Sequence, residues 1–124
     1  LVGSEMCIRD SPYSLGGQGI GTNPDEMLVS AASSCYIISL AATLERAGYK
    51  DIRINQQSVG TASFENGKFK MECITHYPKI NVDNNHKDNL KKRLLKLLKI
   101  ADNNCMISNA IKNNVEVRIE PTLV

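Results

Sequence analysis

The sequence predicts a single α+β domain built around a central apolar helix. Three observations predict it. The stretch from Met27 to Leu44 is apolar around nearly its whole circumference, and a helix of that kind is covered on every side. From Ile52 to Phe64, and again from Phe69 to Tyr77, the chain takes on the alternation of strands. After them come a lysine-rich amphipathic segment and a short run of β-branched residues. At 124 residues the chain is one domain by length, long enough to bury a modest core.

The first ten residues, LVGSEMCIRD, have no period and no turn logic, and they resemble a translated sequencing-adaptor peptide. They are set aside as a non-native or disordered leader, and the domain is taken as 11–124. Residues 11–24 form a loop, with glycines at 16, 17, 19 and 21 and proline at each end. Thr22 or Asn23 caps the helix that follows, with Pro24 in its first turn. Asp25 and Glu26 suit the positive end of its dipole, and Gly48 stops it. Five serines and threonines break the apolar stretch, so it reads as a buried helix and not as a membrane span. So much cover in so small a domain implies a second subunit.

Ile52 and Ile54 alternate with Arg53 and Asn55, and Glu65-Asn66-Gly67 signals a tight hairpin turn. Phe69, Met71, Cys73, Thr75 and Tyr77 then form the apolar face of a second strand. A shift of apolar parity near Gly60 predicts a bulge there. The second helix spans about 84–103, with Leu90, Leu94, Leu97, Leu98 and Ala101 on one stripe and Lys91, Lys92, Lys96 and Lys99 toward the other side. Cys105 starts or precedes a short helix that runs to about Lys112, and a last strand carries Val115, Val117 and Ile119 before Pro121.

The net charge of +2 is too near neutrality to argue for nucleic acid or a membrane surface. The basic run Lys91-Lys92-Arg93, with Lys96, reads as a solvated helix face. The four cysteines, Cys7, Cys35, Cys73 and Cys105, include no C-x-x-C pair and fit neither a zinc site nor a disulfide scaffold. A cytoplasmic protein with reduced thiols is the expectation.

Taken alone, Cys35 reads as packing, since free cysteine is usually buried and inert. Cys73, beside Phe69 and Met71, reads as core. Cys105 stands in a turn at the start of a short helix, where backbone N–H groups favour a thiolate and a turn gives access; packing and reactivity are equally open for it. His76 and His86 stand apart and read as surface residues. Tyr13 and Tyr36 are pocket-lining candidates that nothing local demands.

GIGTNPDEMLVSAASSCYIISLAATLERAG resembles the signature helix of the OsmC/Ohr family of thiol-dependent hydroperoxide reductases, in the branch with NPDEM at the helix start. ADNNCMISNAIKNNVEVRIE resembles the second-cysteine motif and final strand of the same family. The resemblance implies the OsmC fold: two long central helices wrapped by β-strands, as an intertwined homodimer, with the family's N-terminal strands expected to be missing here. It implies that Cys35 is the peroxidatic thiol and Cys105 the resolving one, in a peroxidase that reduces organic hydroperoxides. The activating carboxylate falls on Asp25, where better-known members have Glu, and Glu26 is adjacent. The family's activating arginine has no counterpart between Ser11 and Arg46. No metal or flavin is implied. The implied partners are a second copy of the chain and a dithiol reductant, often a lipoyl group on another protein, with no nucleic acid and no membrane. The competing expectation is a binding module that has lost catalysis and kept an apolar pocket.

Asp25 and Cys35 are ten residues apart, about 15 Å along a helix axis. An acid that assists Cys35 must therefore come from a partner helix.

Overall fold

The computed structural model describes residues 24–124. The leader, the glycine-rich loop with Tyr13, and the cap positions Thr22 and Asn23 lie outside the described residues. The first helix, α1, runs Pro24–Arg46, with Asp25 and Glu26 in its first turn. It ends where Gly48 takes φ 99°. The Gly48 N–H then reaches the Glu45 carbonyl and the Tyr49 N–H the Leu44 carbonyl, the paired closure that a left-handed glycine makes possible.

Two strands follow, β1 at Arg53–Glu65 and β2 at Lys68–Asn81. They pair antiparallel from Arg53↔Asn81 to Glu65↔Lys68. Asn66 and Gly67 turn the corner with φ of 53° and 76°, the two positive values that a two-residue hairpin loop needs. The register slips between Thr61 and Ala62, which face Cys73 and Met71. The extra residue is thus Glu72 on β2, not Gly60. Gly60 serves another purpose: a Cβ there would lie 2.6 Å from Val29 Cγ2 and 3.0 Å from Met71 Sδ. The bare backbone lets α1 settle onto β1.

The slip also changes which side chains enter the core. Ile74, His76, Pro78 and Ile80 are buried, whereas Phe69 and Tyr77 are exposed. The expected apolar face from Phe69 to Tyr77 therefore fails at both ends. The helices cover only the half of the hairpin nearer the termini of β1 and β2. The distal half projects beyond them, with the Phe64 and Phe69 rings tilted against each other at 4.5 Å between centroids. Cys73 is buried, as expected.

The second helix, α2, spans Asn84–Asn103 and buries Leu90, Leu97, Leu98 and Ala101 on one stripe. A six-residue helix, α3, follows at Met106–Ile111. The chain then returns as β3, Glu116–Ile119, parallel to β2 from Cys73↔Glu116 to His76↔Ile119. A final pairing, β4 at Thr122–Leu123, extends the same edge of β2 past Pro121. A parallel return needs a long crossover, and α2 with α3 supplies it. The crossover places α3 against α1.

The core joins Tyr36, Leu40 and Leu44 of α1 to Leu90, Leu97, Leu98 and Ala101 of α2 and Ile80 of β2. By length and composition α1 is apolar enough to cross a membrane. Its packing against α2 and the sheet makes it instead the core helix of a soluble fold. The cover is incomplete among the described residues. Ile38 is 68% exposed, and a surface groove runs beside it, lined by Ile37, Ala41, Tyr49, Ile52 and Ile54.

Candidate active site

Cys35 lies near the middle of α1, half-buried, and packs against the core cluster that contains Cys105. Cys105 is the residue before α3, in an extended conformation with φ −80° and ψ 112°, and is 0% exposed. The two thiols come together where the start of α3 abuts α1, close enough for the Cys35 sulfur to act on the Cys105 thiol. The fold thus brings together two cysteines 70 positions apart in the chain. Cys35, Cys73 and Cys105 are all free thiols.

The turn at Cys105 does not give the access or the low pKa expected of it. Burial pushes the Cys105 thiol up, and the neighbouring Cys35 sulfur adds to the rise. The hydroxyl and backbone N–H of Ser108 oppose it. Thiols respond in this way to burial in apolar surroundings, and α3 is too short to carry much dipole.

Beside the thiol pair lies a buried polar network that the sequence did not announce. Gln56 Nε2 donates to the Ser33 carbonyl at 3.0 Å and to Ser33 Oγ at 2.8 Å. Ser58 Oγ donates to Ser33 Oγ at 2.8 Å and lies 2.6 Å from His76 Nδ1. With the Ser58 proton directed at Ser33, Nδ1 of His76 is the protonated nitrogen and Nε2 carries the lone pair. Nε2 is buried with no hydrogen-bond partner among the described residues. The ring stacks on Tyr36, 5.1 Å between centroids and 8° from parallel. Burial lowers the His76 pKa to about 4. The surface reading of His76 is therefore wrong: it is 0% exposed. Its parity with Ile74, Pro78 and Ile80 was the signal that could have found it. His86 is exposed and meets Tyr49 edge-on.

Tyr36 is fully buried, and its hydroxyl donates to the Leu98 carbonyl at 3.4 Å. Burial, then the charges of Asp102 and Cys105, hold its pKa far above the usual phenol value, so the hydroxyl keeps its proton. Tyr36 thus links the polar network to the end of α2 that precedes Cys105.

The other predicted site residues are not gathered here. Asp25 and Glu26 occupy the first turn of the continuous helix that carries Cys35, about 15 Å from it along the axis. Arg93 lies over the Tyr49 ring, 5.6 Å from its centroid, and Arg118 pairs with Glu116 at 2.8 Å; neither serves Cys35. Among the described residues, no group of three His, Cys, Asp or Glu side chains could hold a metal ion.

The model of the family described as OsmC-like protein matches residues 16–120. The uncharacterized protein YmaD of Bacillus subtilis is 39% identical over 112 residues, which cover 90% of this chain and 75% of the relative. An OsmC-like protein of unknown function from Vibrio cholerae superposes with a TM-score of 0.71 at 23% identity, over 89% of this chain and 73% of that one. The organic hydroperoxide resistance protein OhrB of Bacillus subtilis superposes with a TM-score of 0.65 at 23% identity, over 90% and 78%. At those identities the structural likeness is one of fold. The family match and the YmaD relationship both span most of the sequence, and the chain belongs to the OsmC-like family.

Proposed function

We propose that this protein is a thiol-dependent peroxidase that reduces organic hydroperoxides, with Cys35 as the peroxidatic and Cys105 as the resolving thiol. The observation that carries this reading is the meeting of those two sulfurs across α1 and α3. Relatives of the same fold named for organic hydroperoxide resistance support it. The Cys35 thiolate attacks the distal oxygen of the hydroperoxide. The O–O bond breaks, the alcohol leaves with a proton, and Cys35 becomes a sulfenic acid. The Cys105 thiolate then attacks the Cys35 sulfur. An S–S bond forms and the S–O bond breaks, releasing hydroxide that is protonated to water. A dithiol reductant, such as a lipoyl group on a partner protein, restores both thiols by exchange. Chemistry that depends on such reduction suits the cytoplasm.

The apolar surroundings of Cys35 favour substrates with hydrocarbon arms. With dihydrolipoamide as reductant, tert-butyl hydroperoxide should be consumed faster than hydrogen peroxide in steady state. A preference for hydrogen peroxide contradicts the proposed substrate class. Failure to turn over either one favours the binding-module reading instead.

We further propose a homodimer in which Asp25 or Glu26 of one chain serves Cys35 of the other. The support is the uncovered apolar face around Ile38 and the axial distance that prevents these acids from serving their own Cys35. A two-fold partner covers such a face twice over. Mixing Cys35→Ser chains with Asp25→Ala/Glu26→Ala chains should restore activity, since an exchanged dimer holds one complete site. If the acid variant is inactive and verified exchange restores nothing, the shared site is refuted.

A further inference from the structure

The resolving step carries an electrostatic problem that the peroxide step does not. Cys105 must ionise to attack, yet it is 0% exposed and sits against another sulfur. Water cannot solvate the thiolate there, so protein donors must do so. Ser108 is buried, at 6% exposure. Among the described residues its Oγ has no hydrogen-bond partner at ordinary distance and angle. A buried hydroxyl left unpaired is costly, and such an orphan calls for an explanation. Its position offers one. Ser108 stands three residues after Cys105, in the first turn of α3; Cys105 holds the position before that helix and makes no side-chain cap of standard geometry. Its hydroxyl and N–H are the two groups that favour the charged form of Cys105.

We propose that Ser108 is a catalytic residue of the resolving step: its hydroxyl donates a hydrogen bond to the Cys105 thiolate as that sulfur attacks the sulfenic acid on Cys35. The inference rests on the reading of Cys105 as the resolving thiol. In the resting thiol the hydroxyl already stands beside the sulfur but is only weakly engaged, because a neutral sulfur is a weak acceptor. When the proton leaves Cys105, the hydroxyl turns to the sulfur and the charge is held without water. The Ser108 N–H assists from the backbone, and Tyr36 keeps its proton and so adds no opposing charge.

Ser108→Ala tests this in two measurements. In the first, one equivalent of tert-butyl hydroperoxide is added, and sulfenic acid and disulfide are followed by quenched mass spectrometry. The variant should form the Cys35 sulfenic acid at the parent rate but close the disulfide about ten- to a hundredfold more slowly, the range for losing a hydrogen bond to a charged group. The lag should shrink as pH rises. The second measurement needs no peroxide. In a Cys35→Ser background, the pH profile of Cys105 alkylation should shift to higher pH when Ser108 becomes alanine, and Ser108→Thr, which keeps the hydroxyl, should shift it less. A packing role alone would leave these profiles in place. Unchanged closure and an unchanged alkylation profile overturn the role of Ser108 while leaving the peroxidase reading intact. A parent protein that forms neither sulfenic acid nor disulfide overturns both.

Discussion

Cys35→Ser chains should reduce organic hydroperoxide no faster than buffer, whereas Cys105→Ser chains should complete one turnover and stop. The difference follows from the order of the two steps. In the proposed cycle only Cys35 meets the peroxide, and serine cannot replace it because its hydroxyl is not ionised at neutral pH, while the thiolate is the nucleophile. Cys105 acts afterward, so its loss leaves the first step alone and strands Cys35 as a sulfenic acid. Trapping with dimedone in single-turnover reactions reads both outcomes: an adduct on Cys35 in the Cys105→Ser chain, and none on Cys105 in the Cys35→Ser chain. Equal single-turnover rates for Cys35→Ser and the parent would sink the assignment.

The second large effect is on stability and concerns His76. Its folded pKa is about 4, against about 6.5 when unfolded. The native state holds it neutral, while the unfolded chain takes up a proton as pH falls through 6.5. Stability is therefore fully present above that value. It declines as pH drops toward 4 and levels off below, for a total loss of about 3 kcal/mol. The structural reason is the bare Nε2. A proton there would sit in the core with no acceptor, on a ring stacked against Tyr36. Urea unfolding at pH 7.5 and 4.5 should show the parent losing about 2–3 kcal/mol more than His76→Gln between the two pH values. Equal losses would mean that other groups carry the acid sensitivity.

Most of the architecture was legible because local and long-range signals agree. The leucine stripe of α2 gave its span from Asn84 to Asn103, and Asn66-Gly67 gave the hairpin turn. The buried face of β2 was not legible, because the extra residue at Glu72 exchanges the two faces partway along the strand. Parity read from Phe69 onward therefore pointed outward where the core begins. The same slip hid His76. The network around it joins Ser33, Gln56, Ser58 and His76 from three separate elements, and no local pattern relates them. The thiol pair was found through motif resemblance and not through spacing, since the approach of Cys35 and Cys105 depends on the β2–α2–α3–β3 crossover. Ser108 went unnoticed because a lone serine in a short helix carries no signal until its hydroxyl is found buried and unpaired.

The central claim is that Cys35 and Cys105 form one redox pair while Cys73 stands apart. Cys73 is buried on β2, its sulfur 3.7 Å from Thr75 Oγ1, away from the junction of α1 and α3. Disulfide mapping by mass spectrometry after one equivalent of tert-butyl hydroperoxide tests the claim most directly. The account predicts a Cys35–Cys105 link with Cys73 fully reduced. A disulfide that includes Cys73, or oxidation that leaves Cys35 untouched, would contradict it.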